Sequence, residues 1–148
     1  MPGIRCWLIA VTVPITVTLA LVTPASAQYN ARYAPASLPP LTVNQTTTVQ
    51  VKVTNTGSVT WENTGRCPVV LGYRWYYTQT KVFEDTQGTP LPTAVAPGQT
   101  VELAATIEAP SVQGSYTLAW DLRAKCEWFT SLGVAPGLQP NVEVRAKR

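Results

Sequence analysis

The stretch "TTTVQVKVTNTGSVTW", residues 46–61, decides the fold class of this chain. Val49, Val51 and Val53 alternate with Gln50 and Lys52, the period-two pattern of a strand with one buried face. An Asn-Thr-Gly turn at residues 55–57 ends the run, and Trp61 follows four residues later. The pattern predicts a half-buried β-strand that closes in a tight turn.

The same alternation recurs in three later segments and in none of them do apolar residues fall at helical spacing. These segments are "PVVLGYRWYYT" (68–78), "VELAATIEAP" (101–110) and "YTLAWDLRAK" (116–125). β-branched and aromatic residues dominate each of them, as strands favour. We therefore expect an all-β chain, an immunoglobulin-like antiparallel β-sandwich of about seven strands.

The N-terminal segment has the features of a secretory signal peptide. Arg5 precedes an apolar run, and Ala25-Ser26-Ala27 forms a small-residue cleavage site. We expect residues 1–27 to be removed, with the mature chain starting at Gln28 in an extracytoplasmic setting of a bacterium. A retained membrane anchor is the alternative, because the apolar run approaches the length of a bilayer span.

The rest of the chain divides into two parts by composition. Residues 28–40, "QYNARYAPASLPP", are rich in proline and predict an extended lead-in that does not pack. Residues 41–148 predict the sandwich. No later apolar stretch has membrane length, so we expect the mature chain not to span a membrane.

Two cysteines remain after the signal segment, Cys67 and Cys126, and an even pair in an exported chain predicts a disulfide. The strand pattern supplies a geometric reason. If Tyr73 pairs with Trp120 in antiparallel neighbouring strands, their buried faces match, and the same register carries Cys67 opposite Cys126.

Beyond these patterns, an ordered series of motifs resembles the four-tryptophan immunoglobulin-like domain, known from autophagy cargo receptors and from exported bacterial proteins. The motifs are "VKVTNTGSVTW", "LGYRW", "LPTAVAPGQTVEL", "EAPSVQGSYTLAWDL" and "WF". The resemblance implies a β-sandwich, and it implies framework roles for Asn55, Gly57, Trp61, Trp75, Pro110, Gly114, Tyr116 and Trp120. Trp75 and Trp120 are expected in the core and Trp61 at one end of the sandwich. Trp128 departs from the family pattern and is open to either a core or a ligand role.

Composition argues against catalysis. The chain has no histidine, and both remaining cysteines are expected to be oxidised, so Ser-His-Asp and Cys-His arrangements cannot be built. A carboxylate pair chosen among Glu84, Asp85, Asp121 and Glu127 stays formally possible. We expect no enzyme activity, no cofactor and no metal site, because the commonest metal ligand is absent and no acidic calcium loop occurs. A basic cluster at the C-terminus is too short to predict nucleic-acid binding.

The sequence leaves two binding functions open. The first is a secreted module for protein recognition or cell-surface structure, including a spacer role, with its surface on the outward face of the two aromatic strands. The residues proposed for that face are Arg74, Tyr76, Asp121, Arg123 and Trp128. The alternative for that face is an ordinary solvated surface in which Arg74 and Asp121 form an ion pair. The second function is a carbohydrate-binding module with exposed aromatic rings as sugar platforms, drawn from Tyr29, Tyr33, Tyr76, Tyr77 and Trp128. Two exposed coplanar rings would favour it.

Overall fold

The structure is a computed structural model that describes residues 28–148, so the predicted signal peptide lies outside the described residues. Ten strands form two sheets: β1 (Ala31–Pro35), β2 (Leu41–Thr42), β3 (Thr46–Asn55), β4 (Val70–Tyr77), β5 (Thr80–Glu84), β6 (Thr89–Pro90), β7 (Thr100–Glu108), β8 (Gly114–Ala124), β9 (Glu127–Trp128) and β10 (Gly137–Arg145). A short 3-10 helix, Phe129–Leu132, follows β9. Within this part of the chain, no helix is long and apolar enough to cross a membrane.

The first sheet has three antiparallel strands in the order β1-β3-β7. Its register runs without interruption from Thr46 opposite Glu108 to Thr54 opposite Thr100. The alternating valines of β3 are buried, while Gln50 and Lys52 between them are exposed. The pattern in the opening stretch of sequence thus describes the strand correctly.

The second sheet has the order β2-β10-β8-β4-β5, with β6 paired to β4 and β9 paired to β8. β4 and β8 are antiparallel neighbours with Tyr73 opposite Trp120 and Trp75 opposite Leu118, as the sequence predicts. The pairing of β2 with β10 is parallel. Both aromatic strands therefore direct one face toward the first sheet.

The core between the sheets is built on three tryptophans. Trp61, Trp75 and Trp120 are each 0% exposed, and the valines of β3 pack in the same cluster. Trp61 also forms a short antiparallel bridge with Val95. The all-β sandwich prediction is confirmed, and seven of the strands have five residues or more.

The lead-in differs from its prediction. Within residues 28–40, β1 pairs with β3 from Ala31 opposite Asn55 to Pro35 opposite Val51. Alternate residues of β1 are half-buried against the core. A proline-rich composition suggested an unpacked linker, yet the strand's one proline lies at its last position on a sheet edge, where proline is tolerated.

The predicted disulfide is present. Cys67, in the connection before β4, is bonded to Cys126 in the turn after β8, with a Cα–Cα distance of 5.4 Å. The bond ties the two aromatic strands together at one end of the second sheet.

Candidate functional site

The outward face of β4 and β8 contains the predicted recognition residues, but it is not an open surface. Arg74 lies opposite Ala119 and diagonal to Asp121, as the register requires. However, Arg74 is only 7% exposed and Asp121 is 0% exposed. The predicted Arg74–Asp121 ion pair is present at 2.9 Å, but it is buried, so neither an open binding face nor a solvated face describes these two residues.

The indole of Trp128 covers this face. β9 folds back along β8 through a tight turn at Lys125 and Cys126, which adopt left-handed φ values of 50° and 64°. The Trp128 ring then lies over Gly72, where an added Cβ would stand only 2.6 Å from it. The guanidinium carbon of Arg74 is 4.3 Å from the ring centroid, a cation-π contact. Trp128 therefore has a packing role.

Two further residues of the predicted face remain partly accessible. Tyr76 is half-buried on β4. Arg123 is half-buried on β8, 5.4 Å from the Trp128 ring centroid, and donates a hydrogen bond to the backbone oxygen of Thr86 at 3.1 Å. Because Arg74 and Asp121 are buried, the structure does not bring the five predicted residues together as an accessible site.

A buried charge network lies beneath Trp128. The Arg74 guanidinium donates to Asp121 Oδ2 at 2.9 Å, and its Nε lies 3.2 Å from Glu84 Oε2. Thr130 Oγ1 donates to the same Asp121 oxygen at 2.6 Å. Burial raises the pKa of the Asp121 carboxyl above its ordinary value, since lost hydration outweighs the hydrogen bonds from Thr130 and the Arg74 charge. The network anchors the 3-10 helix to the sheet.

Tyr33 reaches the same network from the lead-in strand β1. Its hydroxyl accepts a hydrogen bond from the Leu122 N–H at 3.0 Å and lies 3.5 Å from Asp121 Oδ1. Burial, followed by the Asp121 charge, raises the pKa of the Tyr33 phenol well above its ordinary value. The ring also packs against Gly137, which has no side chain to displace it. Tyr33 is a structural residue and not a sugar platform.

The other candidate sugar platforms do not form a flat exposed pair. Tyr77 is 52% exposed, but its ring is tilted by 54° against Tyr116. Tyr29 is tilted by 58° against Phe129. Among the aromatic contacts in residues 28–148, the pair closest to parallel is Tyr73 with Phe83, at 25°. Because Tyr73 is buried, this pair does not provide two exposed coplanar rings.

The framework residues have packing and turn-forming roles. Tyr116 donates its hydroxyl proton to the Val112 carbonyl at 2.8 Å, the geometry of a tyrosine corner. Gly57 lies so close to the backbone of Gln28 and Asn30 that a side chain would not fit. Gly114 lies against the rings of Tyr77 and Tyr116, and the Pro110 carbonyl accepts a hydrogen bond from the Asn44 N–H at 3.2 Å.

The carboxylates named as formal catalytic candidates are engaged in other contacts. Asp85 accepts hydrogen bonds from the N–H groups of Gln87 and Gly88 in a turn. Glu84 binds Lys81 at 2.7 Å, and that hydrogen bond is the main reason that the pKa of the Glu84 carboxyl lies below its ordinary value. Glu84 and Asp121 meet only through Arg74, while Glu127 is exposed on β9. These contacts are those of turns and ion pairs.

Exposed apolar side chains gather instead at one cleft that the sequence did not single out. Its volume is about 310 Å³. Three of its lining residues are large apolar side chains open to solvent: Val82 (49% exposed), Phe83 (42%) and Val112 (65%). Trp75 and Tyr116 form its apolar floor, and Glu108 lies at its rim. In the sequence, this cleft is indicated only by two adjacent apolar residues in the edge segment "KVFEDT".

The cleft exists because the two sheets differ in width. The first sheet ends at β7, whereas the second continues past β4 to β5. Phe83 is opposite Trp75 in the β4–β5 ladder, so its ring is on the inner face, stacked 5.5 Å from Tyr73. In residues 28–148, no strand of the first sheet covers it. We call this region, from β5 to the free edge of β7, the β7 groove.

The two-layer topology, the tyrosine corner and the buried tryptophans define the class of protein: an immunoglobulin-like β-sandwich. The family model described as the Ig-like domain from next to BRCA1 gene matches residues 37–131, and the chain belongs to this family. A comparison with curated proteins found no match. Membership in an Ig-like family suggests a protein-interaction module.

Proposed function

We propose that this chain is an exported, non-catalytic recognition module of the four-tryptophan immunoglobulin type, which binds a protein at the cell surface through the β7 groove. The observation that carries the proposal is the concentration of exposed apolar residues there. Val82, Phe83 and Val112 lie together at one cleft. Exposed apolar side chains that cluster at one place mark interaction sites, whereas apolar side chains scattered singly over a surface are ordinary.

Three observations support the subtype and the export. Trp61, Trp75 and Trp120, which resemble three of the family's tryptophans, are each fully buried. The Cys67–Cys126 disulfide supports an oxidising compartment, because such bonds rarely persist in the cytosol. The signal-peptide pattern of residues 1–27 is the kind of segment that directs a chain to the secretory pathway.

The recognition test uses the exported chain, purified with its disulfide intact and immobilised. Proteins retained from an envelope and medium extract are identified by mass spectrometry, and each is then purified and titrated against the chain by calorimetry. Phe83→Ser should weaken that binding by about tenfold or more, because it removes an apolar anchor from the cleft.

Leu138→Ser is the matched control, because Leu138 is 59% exposed but lies on β10, away from the groove. It should bind like the wild type. Equal affinity of all three proteins would show that the groove is not the site. If no protein binds and a glycan array gives a specific signal instead, carbohydrate binding replaces this proposal.

Export is tested separately by the mass of the chain recovered outside the cytoplasm. Cleavage after Ala27 leaves Gln28 at the N-terminus, and its backbone oxygen accepts hydrogen bonds from the Ser58 and Val59 N–H groups at 3.1 and 3.2 Å. The expected mass is that of residues 28–148 with one disulfide. A mass that includes Arg5 would instead mean a retained anchor.

A further inference from the structure

The groove has the shape of a missing strand. An immunoglobulin sandwich commonly places four strands on the sheet that here has three. The vacant place is beside β7 and above Phe83, whose inner face is left open to solvent. The kind of ligand that can bind there depends on which backbone N–H and C=O groups of β7 point toward the free edge.

The hydrogen bonds of Glu108 reveal which β7 backbone groups face outward. Its N–H donates to Tyr73 Oη at 3.0 Å, and its carbonyl accepts from Trp75 Nε1 at 2.8 Å, so both groups point away from β3. In an antiparallel ladder this orientation recurs at every second residue. The Asn55 N–H donates to the Gln99 carbonyl, which agrees with this alternation. The backbone groups of odd-numbered residues point toward β3, and those of even-numbered residues point toward the free edge.

The outward-facing groups therefore belong to Thr100, Glu102, Ala104 and Thr106. Within residues 28–148, no backbone hydrogen bond outside the β3–β7 ladder reaches these four residues. This edge is a continuous row of donors and acceptors at the spacing of a β-strand. Such a row is complementary to another extended backbone and to few other ligands.

The β7 edge also lacks the features that block strand addition. β7 contains no proline, lysine or arginine, and its ladder with β3 has no bulge. By contrast, β1 ends in Pro35, and β5 carries Lys81 and a bulge in its pairing with β4. Natural sheets use such features to prevent association at their edges.

The surroundings define the chemistry of the incoming strand. The cleft at the Glu108 end is lined by Val82, Phe83 and Val112, and a second cleft of about 380 Å³ lies between Ala104–Thr106 and residues 85–90. The charged residues lining the two clefts are Glu108 and Asp85, both acidic. Glu102 adds a third carboxylate on the outer face of the edge.

We propose that the β7 groove binds an extended segment of a partner polypeptide as an added β-strand. Apolar side chains on one face of the segment cover Phe83, and basic side chains on the other face lie near Glu102 and Glu108. This inference rests on the proposed recognition function and specifies its ligand class. Main-chain hydrogen bonds to β7 supply affinity, and the alternating side chains supply selectivity.

The probe is a short acetylated and amidated peptide of sequence Thr-Val-Lys-Val-Lys-Val-Thr, titrated by calorimetry against the exported chain. Two N-methylated versions, one at the lysines and one at two valines, test strand pairing directly. Because only alternate N–H groups of an added strand face its neighbour, one version should lose binding and the other should keep it. Equal behaviour of the two versions, or no binding of the parent peptide at about 1 mM, overturns strand addition.

On the protein side, Ala104→Pro removes an outward N–H while leaving the bonds to β3 in place, a position where an edge strand tolerates proline. It should weaken peptide binding by about tenfold or more, as should Phe83→Ser, whereas Leu138→Ser should not. Circular dichroism and thermal melting check that each variant is folded, and the two N-methylated peptides decide the question if Ala104→Pro does not fold. Wild-type peptide affinity in the folded groove variants overturns the proposal.

The two proposals fail in different ways. If Phe83→Ser abolishes capture of the protein partner while Ala104→Pro and N-methylation have no effect, recognition stands and strand addition falls. If no protein partner is captured at all, the recognition function itself falls. A concentration-dependent dimer in analytical ultracentrifugation that Ala104→Pro abolishes would mean that a second copy of this chain fills the edge, which also overturns a partner strand.

Discussion

The side chain of Asn55 closes the turn that follows β3, and its amide uses both of its polar atoms. Nδ2 donates to the carbonyls of Val59 and Val95 at 2.8 and 2.9 Å, and Oδ1 accepts from the Gly57 N–H at 3.0 Å. The residue is 0% exposed. A single buried amide thus joins the start of the β3–β4 connection to the segment that precedes β7.

Asn55→Ala should lower the free energy of unfolding by about 3 kcal/mol, because it removes three hydrogen bonds of a buried side chain and leaves the Val59 carbonyl and the Gly57 N–H without their side-chain partner. Asn63→Ala is the control, since Asn63 makes one exposed hydrogen bond, of 3.3 Å, to the Pro92 carbonyl. Guanidinium denaturation of both variants measures the difference. Similar losses in the two would mean that the Asn55 amide has no special role.

Tyr33 makes the stability of the domain sensitive to alkaline pH. Its folded-state pKa is raised, so the folded chain keeps the phenol proton while the unfolded chain loses it above about pH 10. The stabilisation is complete below that pH and is lost as the pH rises further, by up to about 1.4 kcal/mol per pH unit.

Denaturation between pH 8 and 11 should therefore show a steeper loss of stability in the wild type than in Tyr33→Phe. Tyr73 and Tyr116 also have raised pKa values, mainly through burial, so a smaller slope should remain in the variant. Parallel curves for the two proteins would contradict this role of Tyr33.

At the scale of elements, the β8–β9 turn and the 3-10 helix act as a cover for the outward face of the second sheet. Trp128 shields the Arg74–Asp121 pair, while Thr130 fixes the helix to Asp121. Gly72 leaves the space that the indole fills. The cover turns a face that β4 and β8 alone would expose into a second small buried layer.

Arg74→Met should destabilise the fold by about 3 kcal/mol or more, because it leaves the buried Asp121 carboxylate without its cation. The double variant Arg74→Met, Asp121→Leu should regain most of that loss, since both buried charges are removed. Chemical denaturation of the wild type, both single variants and the double variant gives the coupling energy. If the stability loss of the double variant equals the sum of the losses of the two single variants, the two side chains act independently.

At the scale of the whole molecule, one covalent bond and two sheets of unequal width set the behaviour of the domain. The disulfide joins residues 59 positions apart and closes the end of the second sheet. The narrower first sheet leaves the β7 groove open. Stability and proposed recognition thus arise from separate parts of the sandwich.

Reduction of the Cys67–Cys126 bond should lower the free energy of unfolding by about 4 kcal/mol, from the loop entropy that the bond removes in the unfolded chain. The double variant Cys67→Ser, Cys126→Ser should match the reduced wild type. Urea denaturation with and without reductant measures both effects. No change on reduction would mean that the bond contributes nothing to stability.

Much of the architecture follows from local sequence patterns. Alternation in β3, β4, β7 and β8 specifies which side chains point toward the core, because side chains in a strand alternate strictly between two faces. Matching the buried faces of β4 and β8 gives their register and places Cys67 opposite Cys126. The sequence by itself therefore determined the sandwich, its aromatic core and its disulfide.

Which of the outer surfaces are exposed to solvent was decided by the tertiary structure. Arg74 and Asp121 were correctly placed on an outward face, but only the return of β9 and the reach of Tyr33 from β1 bury them. Phe83 lies on an inward face and is exposed, because the sheet opposite ends one strand too early. Alternation specifies the direction of a side chain from its own strand, whereas burial depends on what the rest of the chain places above it.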